Sequence, residues 1–105
     1  MNWVVEYTKE AEHDLKKLDR TQQLQVLKSI KKVPVNPLPN TEGGYGKPLG
    51  NHMSLNLAGY LKIKLVKLGL RVVYALEHKG NIMKIIIISI RDDETVYKMA
   101  LQRIK

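Results

Sequence analysis

The sequence predicts an α+β domain: a small antiparallel β-sheet packed on helices, in the order β-α-α-β-β-β-α. Two segments, residues 60–66 and 71–77, alternate between apolar and polar side chains, as strands with one buried face do. Residues 82–90 are almost continuously aliphatic, which indicates a central strand covered on both faces. Apolar residues spaced three and four apart follow Thr8 and Asp19, which predicts two capped helices before the strands.

The first third of the chain predicts one strand and two helices. Residues 2–7 alternate as a short strand, and Thr8 can cap the helix that follows it. Asp19 or Thr21 can cap the second helix, which Pro34 ends. The side chains predicted to face the core are Trp3, Val5 and Tyr7 in the strand, Ala11, Leu15 and Leu18 in the first helix, and Leu24, Leu27, Ile30 and Val33 in the second.

The remainder of the chain predicts a long loop, three strands and a final helix. Residues 34–52 contain all four prolines and four of the seven glycines, which is typical of a loop lying across a domain. Turns at Gly69 and at Gly80–Asn81 then connect three strands. A last helix begins near Asp92, with acidic residues at its start and basic residues at its end, the order that the helix dipole favours.

Composition limits the function classes. The 105 residues suit a single domain over residues 1–105, and the absence of cysteine excludes disulfides, thiolate zinc sites and cysteine nucleophiles. No signal peptide or apolar run of about 20 residues is visible, so we expect a soluble cytoplasmic protein. Between Arg20 and Leu76 there are nine basic residues and one acid, so this stretch carries the whole net charge of +8. Such a concentration favours a polyanionic partner: a nucleic acid, an acidic protein segment or a membrane surface.

Lysine and arginine side chains provide the main candidate site. Lys62 and Lys64 are two residues apart in a predicted strand and therefore project from one face. Arg71 begins the strand joined to them by a short turn, and Arg91 ends the central strand. Four such cations can hold a phosphodiester and stabilise the charge of its cleavage, and one crowded lysine can act as a base. Alternatively, the lysines form only the solvated face of an amphipathic sheet.

Other groups of polar residues indicate a particular chemistry less specifically. His52 can be an acid or base that approaches the lysines on its loop, or a plain surface residue. The acids Asp92, Asp93 and Glu94 can bind magnesium or can cap the last helix. Tyr97 can pack in the core or stack on a nucleobase. No histidine pair has metal-ligand spacing and no glycine motif cradles phosphate, so we expect no metal or cofactor.

Four segments together resemble the RelE-type toxins of bacterial type II toxin–antitoxin modules, within the RelE/ParE superfamily. These segments are Leu-Lys-Ile-Lys-Leu at 61–65, Gly-Leu-Arg-Val-Val-Tyr at 69–74, Ile-Ser-Ile-Arg at 88–91 and Val-Tyr at 96–97. With the N-terminal strand and helices, the resemblance covers almost the whole chain. The chain departs from the family at Leu61 and Leu70, where close relatives often have tyrosines. It also departs at Asp92 and Asp93, where basic residues are usual and where acids can pair with Arg91.

The resemblance implies a metal-free endoribonuclease that cuts mRNA in the ribosomal A site and is neutralised by a cognate antitoxin. In this family the 2′-hydroxyl of the substrate attacks, leaving a 2′,3′-cyclic phosphate and a 5′-hydroxyl. Lys47 and Lys67 lie in the basic middle of the chain and are also expected to bind RNA. Two alternatives remain: a ParE-like poison of DNA gyrase, and a catalytically weak basic protein that binds RNA or an antitoxin.

The resemblance also implies a role for each site residue. Lys64 matches the family's general base, and Lys62 and Arg71 match the groups that hold the phosphate and stabilise the transition state. Arg91 matches the arginine that protonates the leaving 5′-oxygen. Tyr97 matches the tyrosine on which an mRNA base stacks.

Overall fold

A computed structural model of the protein describes residues 3–52, 55–65, 67, 69–89 and 102–103, without the side chains of 49–52 and 55–59. Its elements are β1 (Val4–Tyr7), α1 (Lys9–Lys16), α2 (Arg20–Lys32), β2 (Lys47–His52), β3 (Leu55–Leu65), β4 (Leu70–Glu77) and β5 (Ile82–Ser89), with 3₁₀ turns at Val33–Val35 and Asn40–Glu42. The strands form one sheet in the order β1-β5-β4-β3-β2. β1 runs parallel to β5, and all other neighbours are antiparallel.

The predicted architecture is wrong in three respects. The sheet is mixed rather than antiparallel, because β1 pairs with β5 at the other end of the described chain. It has five strands, because the predicted loop 34–52 contains β2, an edge strand in which Pro48 is tolerated. Thirdly, the described elements end with β5; beyond it only residues 102 and 103 are described, with helical backbone but too few to constitute the predicted final helix. Residues 90–101 lie outside the described part of the chain.

The two helices begin at the predicted caps. The Thr8 hydroxyl accepts a hydrogen bond of 3.1 Å from the backbone N–H of Ala11. At α2 the Asp19 carboxylate accepts a 2.8 Å bond from the N–H of Gln22, whose side chain accepts one in return from the N–H of Asp19. This capping box decides between the two predicted caps in favour of Asp19. These side chains satisfy N–H groups that the first helical turn leaves without a partner.

The core lies between the helices and one face of the sheet. Its buried members are Ala11, Val26, Ile30, Val33, Leu61, Leu70, Val72, Tyr74, Met83, Ile85 and Ile88. The prediction that Leu24 and Leu27 face this core is wrong, since they are 58% and 38% exposed. The face of α2 that packs on the core instead carries Val26, Ile30 and Val33, all of which are buried. These three residues also follow helical spacing and therefore lie on one side of the helix. The prediction of a strand covered on both faces is confirmed, because residues 85–88 of β5 are all buried.

A buried ion pair connects α1, β5 and residue 103. Asp14 is 7% exposed, and its Oδ2 accepts hydrogen bonds from the N–H of Ile88, at 3.1 Å, and from Arg103 Nη1, at 2.7 Å. Arg103 Nη2 donates to Asp14 Oδ1 at 3.2 Å, and Nη1 also donates to the carbonyl of Ile86 at 2.9 Å. The bidentate pair therefore holds residue 103 against the strand that ends next to the candidate site.

Tyr74 attaches the proline-rich segment to the sheet. Its buried hydroxyl donates a 2.7 Å hydrogen bond to the carbonyl of Pro37. Gly46 lies against the same hydroxyl so closely that any side chain at residue 46 would overlap it. Burial removes the Tyr74 hydroxyl from water and raises its pKa well above the ordinary value of 10.0.

We expect Tyr74→Phe to lower the free energy of unfolding at pH 8 by about 1–2 kcal/mol, since the Pro37 carbonyl loses its donor. Above pH 10 the unfolded tyrosine ionises while the folded one stays protonated. Stability is therefore lost as pH rises, with Tyr74 contributing up to about 1.4 kcal/mol per pH unit. The variant lacks this pH-dependent loss. Urea unfolding between pH 8 and pH 11 should therefore show that the difference in free energy of unfolding between wild type and variant becomes smaller as pH rises. A difference in free energy of unfolding that stays constant with pH would contradict the raised pKa of Tyr74.

Candidate nucleic-acid interface

Strand register brings the predicted cations of the sheet together. Lys64 of β3 pairs directly with Arg71 of β4, which in turn pairs with Ser89 of β5. Side chains directly opposite in an antiparallel pair have Cβ atoms about 4.5–5.5 Å apart. In the next row on the same face, Lys62 pairs with Lys47 of β2. Two adjacent rows therefore carry four cations from three strands, and we call Lys47, Lys62, Lys64 and Arg71 the cationic cluster.

The cationic cluster lies on the sheet face opposite the helices. Leu61 belongs to the core between sheet and helices, and Ile63 and Leu65 pack against that core. Because side chains alternate along a strand, Lys62 and Lys64 project from the other face, as the sequence predicts. A ligand that contacts the exposed Lys47 and Lys64 would therefore approach the sheet from the side opposite α1 and α2.

The cations of the cluster differ in exposure. Lys62 is only 3% exposed, whereas Arg71 is half-buried and Lys47 and Lys64 are exposed. Burying an ammonium group is costly unless it has partners. Lys62, Lys64 and Arg71 each make a polar or electrostatic interaction, and no buried side-chain N or O atom in the described part of the chain lacks a hydrogen-bond partner. The cluster thus combines one buried cation, one half-buried cation and two exposed cations.

Sequence reasoning missed the burial of Lys62 and the position of Ser89. Alternation predicts which face a lysine occupies but says nothing of what covers it. Ser89 is 8% exposed and lies beside Arg71, where its hydroxyl adds a polar group to the site. The sequence did contain a sign of Ser89, because this residue is the single hydroxyl side chain in the otherwise aliphatic run of residues 85–90.

Several predicted site residues are not placed. Arg91, Tyr97 and the acids at 92–94 lie outside the described residues, as does the side chain of His52. Lys67 is described and exposed, in the turn after β3. Among the residues that the structure describes, no group of three His, Asp or Glu side chains could hold a metal ion. In the same part of the chain, no helix has the length and apolar character needed to cross a membrane.

The sequence that forms β2, β3 and most of β4 carries charge of one sign. Between Glu42 and Glu77 the sequence contains no acidic residue, so every charged residue of β2 and β3, and of β4 before Glu77, is basic. Lys67 extends this charge beyond the end of β3. Such a surface can attract phosphate groups, and closely placed cations can stabilise the additional negative charge that develops on a phosphodiester during cleavage.

The sequence identifies the chain as a toxin of a type II toxin–antitoxin system. Residues 5–97 match the family described as the ParE toxin of the type II toxin–antitoxin system parDE, so the chain belongs to the ParE toxin family, within the RelE/ParE superfamily. No curated protein sequence matches the chain significantly.

Solved structures of RelE toxins share the fold. The chain is similar to a doubly arginine-substituted E. coli toxin RelE in the free state, with 24% identity over 100% of both chains and a TM-score of 0.77. It is also similar to the intact E. coli RelBE toxin–antitoxin complex, with 21% identity, 86% and 98% of the two chains covered and a TM-score of 0.64. For the toxin–antitoxin complex RelBE2 of Mycobacterium tuberculosis, the values are 22% identity, 87% and 100% coverage and a TM-score of 0.60.

Proposed function

We propose that the protein is a ribosome-dependent mRNA interferase, an endoribonuclease that cleaves mRNA in the ribosomal A site and so inhibits translation. The observation that carries this proposal is the direct pairing of Lys64 with Arg71, with Lys62 two residues along the same face. Cleavage by an internal 2′-hydroxyl needs a base beside that hydroxyl and positive charge around the phosphate. The cationic cluster offers both within two rows of one sheet.

In the proposed reaction, Lys64 removes the proton of the 2′-hydroxyl, and the 2′-oxygen attacks the adjacent phosphorus. The new P–O2′ bond forms as the P–O5′ bond breaks, which leaves a 2′,3′-cyclic phosphate. The leaving 5′-oxygen receives a proton, a role that we assign to Arg91. Arg71 holds the non-bridging phosphate oxygens, and the buried Lys62 adds positive charge close to them, so that both stabilise the charge that these oxygens gain in the transition state.

The exposure of each cation supports this division of roles. Lys64 is exposed and can reach a hydroxyl on a bound strand, whereas Lys62 is buried and its charge is fixed before substrate arrives. A charge that is already positioned costs little reorganisation during the reaction. Lys47 and Lys67 are exposed at the margin of the site, where they would contact the RNA backbone. We propose that Tyr97 stacks on an mRNA base.

The proposed function includes a partner and a compartment. Structures similar to this chain include toxins in complex with antitoxins, which supports a cognate antitoxin that neutralises this toxin. An acidic segment of that antitoxin would cover the cationic cluster and exclude RNA from it. The toxin would act in the bacterial cytoplasm, where translating ribosomes are found.

The proposal is tested by inducing the protein in bacteria and mapping the ends of a translated message by primer extension. We expect cuts within codons of the translated region and none in the same transcript without a start codon. The downstream fragments should carry 5′-hydroxyl ends, detectable because ligation requires prior phosphorylation by a kinase. Growth arrest with uncut messages would contradict the proposed function.

A second candidate is a ParE-like poison of DNA gyrase, and the family match itself favours it, because the family is described by its ParE toxin. Here the cationic cluster would contact an acidic or nucleic-acid surface without catalysis. Induction would then cause DNA damage while transcripts stay intact. Strand breaks measured beside primer extension in the same cultures separate the two candidates.

A further inference from the structure

Tyr45 is an aromatic side chain that the fold leaves largely in water. It is 51% exposed, although the next residue, Gly46, is buried. The N–H of Tyr45 donates a 3.1 Å hydrogen bond to the carbonyl of Asn36, and the N–H of Gly46 donates one of 3.1 Å to the carbonyl of Leu38. The Asn36 side chain also donates to the carbonyl of Gly43 at 3.2 Å. These bonds fix the backbone around Tyr45, so its position does not depend on packing of the ring.

A lysine lies over the Tyr45 ring. Lys32 Nζ, at the end of α2, is 5.6 Å from the centre of the ring, a distance at which a cation is attracted to an aromatic face. Lys47 of the cationic cluster follows Tyr45 by two residues, and Glu42 is the one acid between residues 36 and 47. Sites for single-stranded nucleic acids combine these features, because an aromatic ring stacks on a base while cations contact the neighbouring phosphates.

Tyr45 lies next to the cationic cluster. Lys47 pairs with Lys62, and Lys64 and Arg71 form the next row. Because β2 and β3 are antiparallel, the chain that precedes Lys47 runs toward the row of Lys64. Two extended residues span at most about 7 Å, so the Tyr45 Cα lies within that distance of the Lys47 Cα, at the edge of the sheet. A nucleotide adjacent to a phosphate in the cluster can therefore reach the ring.

We propose that Tyr45 stacks on the base of an RNA nucleotide next to the phosphate held by the cationic cluster, on the part of the ring that Lys32 leaves open. The RNA ligand rests on the proposed function, whereas the stacking residue goes beyond it, because the described cations act only on the phosphate and the 2′-hydroxyl. Every base has an aromatic face, so Tyr45 adds affinity and positions the strand without selecting a codon. An acidic protein segment would use the same ring as an apolar anchor, but its binding would not respond to removal of a base.

The proposal is tested by fluorescence anisotropy with single-stranded RNAs of about eight nucleotides, within the usual size of single-strand sites. All carry 2′-O-methyl groups, which prevent attack by the 2′-oxygen, and each RNA of a set lacks one base. In wild type, removal of the base that stacks on Tyr45 should weaken binding at least fivefold. Tyr45→Leu should weaken binding of the intact RNA by the same factor and should no longer respond to removal of that base. Tyr45→Phe keeps the ring and should bind as wild type does.

Controls separate stacking from charge and from misfolding. Tyr45→Leu removes no phosphate contact, so the slope of log Kd against log salt should equal that of wild type, whereas Lys47→Ala should reduce it by about 0.7. Val35→Ala truncates another exposed apolar side chain and should bind RNA normally. Thermal unfolding should show that Tyr45→Leu is folded, because the side chain is half in water; Tyr45→Gln takes its place if it is not.

Several results would overturn the proposal. These are the absence of saturable RNA binding by wild type up to about 1 mM, equal affinity of wild type and Tyr45→Leu, or equal weakening of Tyr45→Phe and Tyr45→Leu. Unchanged RNA binding by Tyr45→Leu with weaker binding of a co-expressed antitoxin would assign the ring to protein recognition instead. If binding is as expected but wild type leaves translated messages uncut, the endoribonuclease is refuted and the stacking residue stands.

Discussion

Lys64→Ala is expected to lower the rate of mRNA cleavage by about 10²–10⁴-fold, the usual contribution of a general base. Lys64 is exposed, so the truncation removes no core contact and at most one surface interaction, and the variant should stay folded. The measurement is primer extension on a translated message after induction, together with growth of the culture. If Lys64→Ala cuts translated mRNA normally, the proposed mechanism is wrong.

Two further substitutions separate a base from a simple positive charge. Lys64→Arg keeps the charge, but a guanidinium stays protonated at any physiological pH, so this variant should remain inactive. Arg71→Ala should retain the base and lose about 10²–10³-fold of the rate, since it removes one charge from the transition state. Lys79→Ala, in the turn between β4 and β5, serves as the matched lysine control and should cleave as wild type does. Full activity of Lys64→Arg would assign Lys64 to phosphate binding instead.

Asp14→Ala is expected to give the largest loss of stability, about 3 kcal/mol. It leaves the Arg103 guanidinium without its bidentate partner, and removing one member of a buried pair costs ~3–5 kcal/mol. We place the effect at the lower end because the Arg103 side chain is 19% exposed and keeps some contact with water. The N–H of Ile88 in the core strand also loses its acceptor. Urea unfolding at pH 7 measures the change.

The surface pair of Lys84 and Glu77 is the control for Asp14. The Lys84 and Glu77 side chains are 43% and 47% exposed, and Lys84 Nζ lies 3.4 Å from Glu77 Oε1. Lys84→Ala should therefore change the free energy of unfolding by less than about 1 kcal/mol. A loss for Asp14→Ala no larger than that for Lys84→Ala would show that the buried pair contributes little net stability.

Local patterns in the sequence predicted most of the described elements. β1, both helices with their caps, β4 and β5 are found within a few residues of the predicted bounds, because caps and side-chain periodicity are properties of neighbouring residues. β2 was missed because it contains Pro48 and Gly50 and lacks alternation; it is a strand only because β3 pairs with it. The parallel pairing of β1 with β5 was missed for a similar reason, since alternation carries no information on strand direction.

The sequence also predicted part of the candidate site, and the tertiary structure decided the rest. Alternation alone placed Lys62 and Lys64 on one face, and the run of residues without an acid made that face cationic. Only the tertiary structure paired Lys64 with Arg71, buried Lys62 and left Leu24 and Leu27 in solvent. The alternation of apolar and polar residues assigns a side chain to one face of a strand or helix. Strand register and burial depend on residues that are distant in the chain, so they are decided only when the elements pack together.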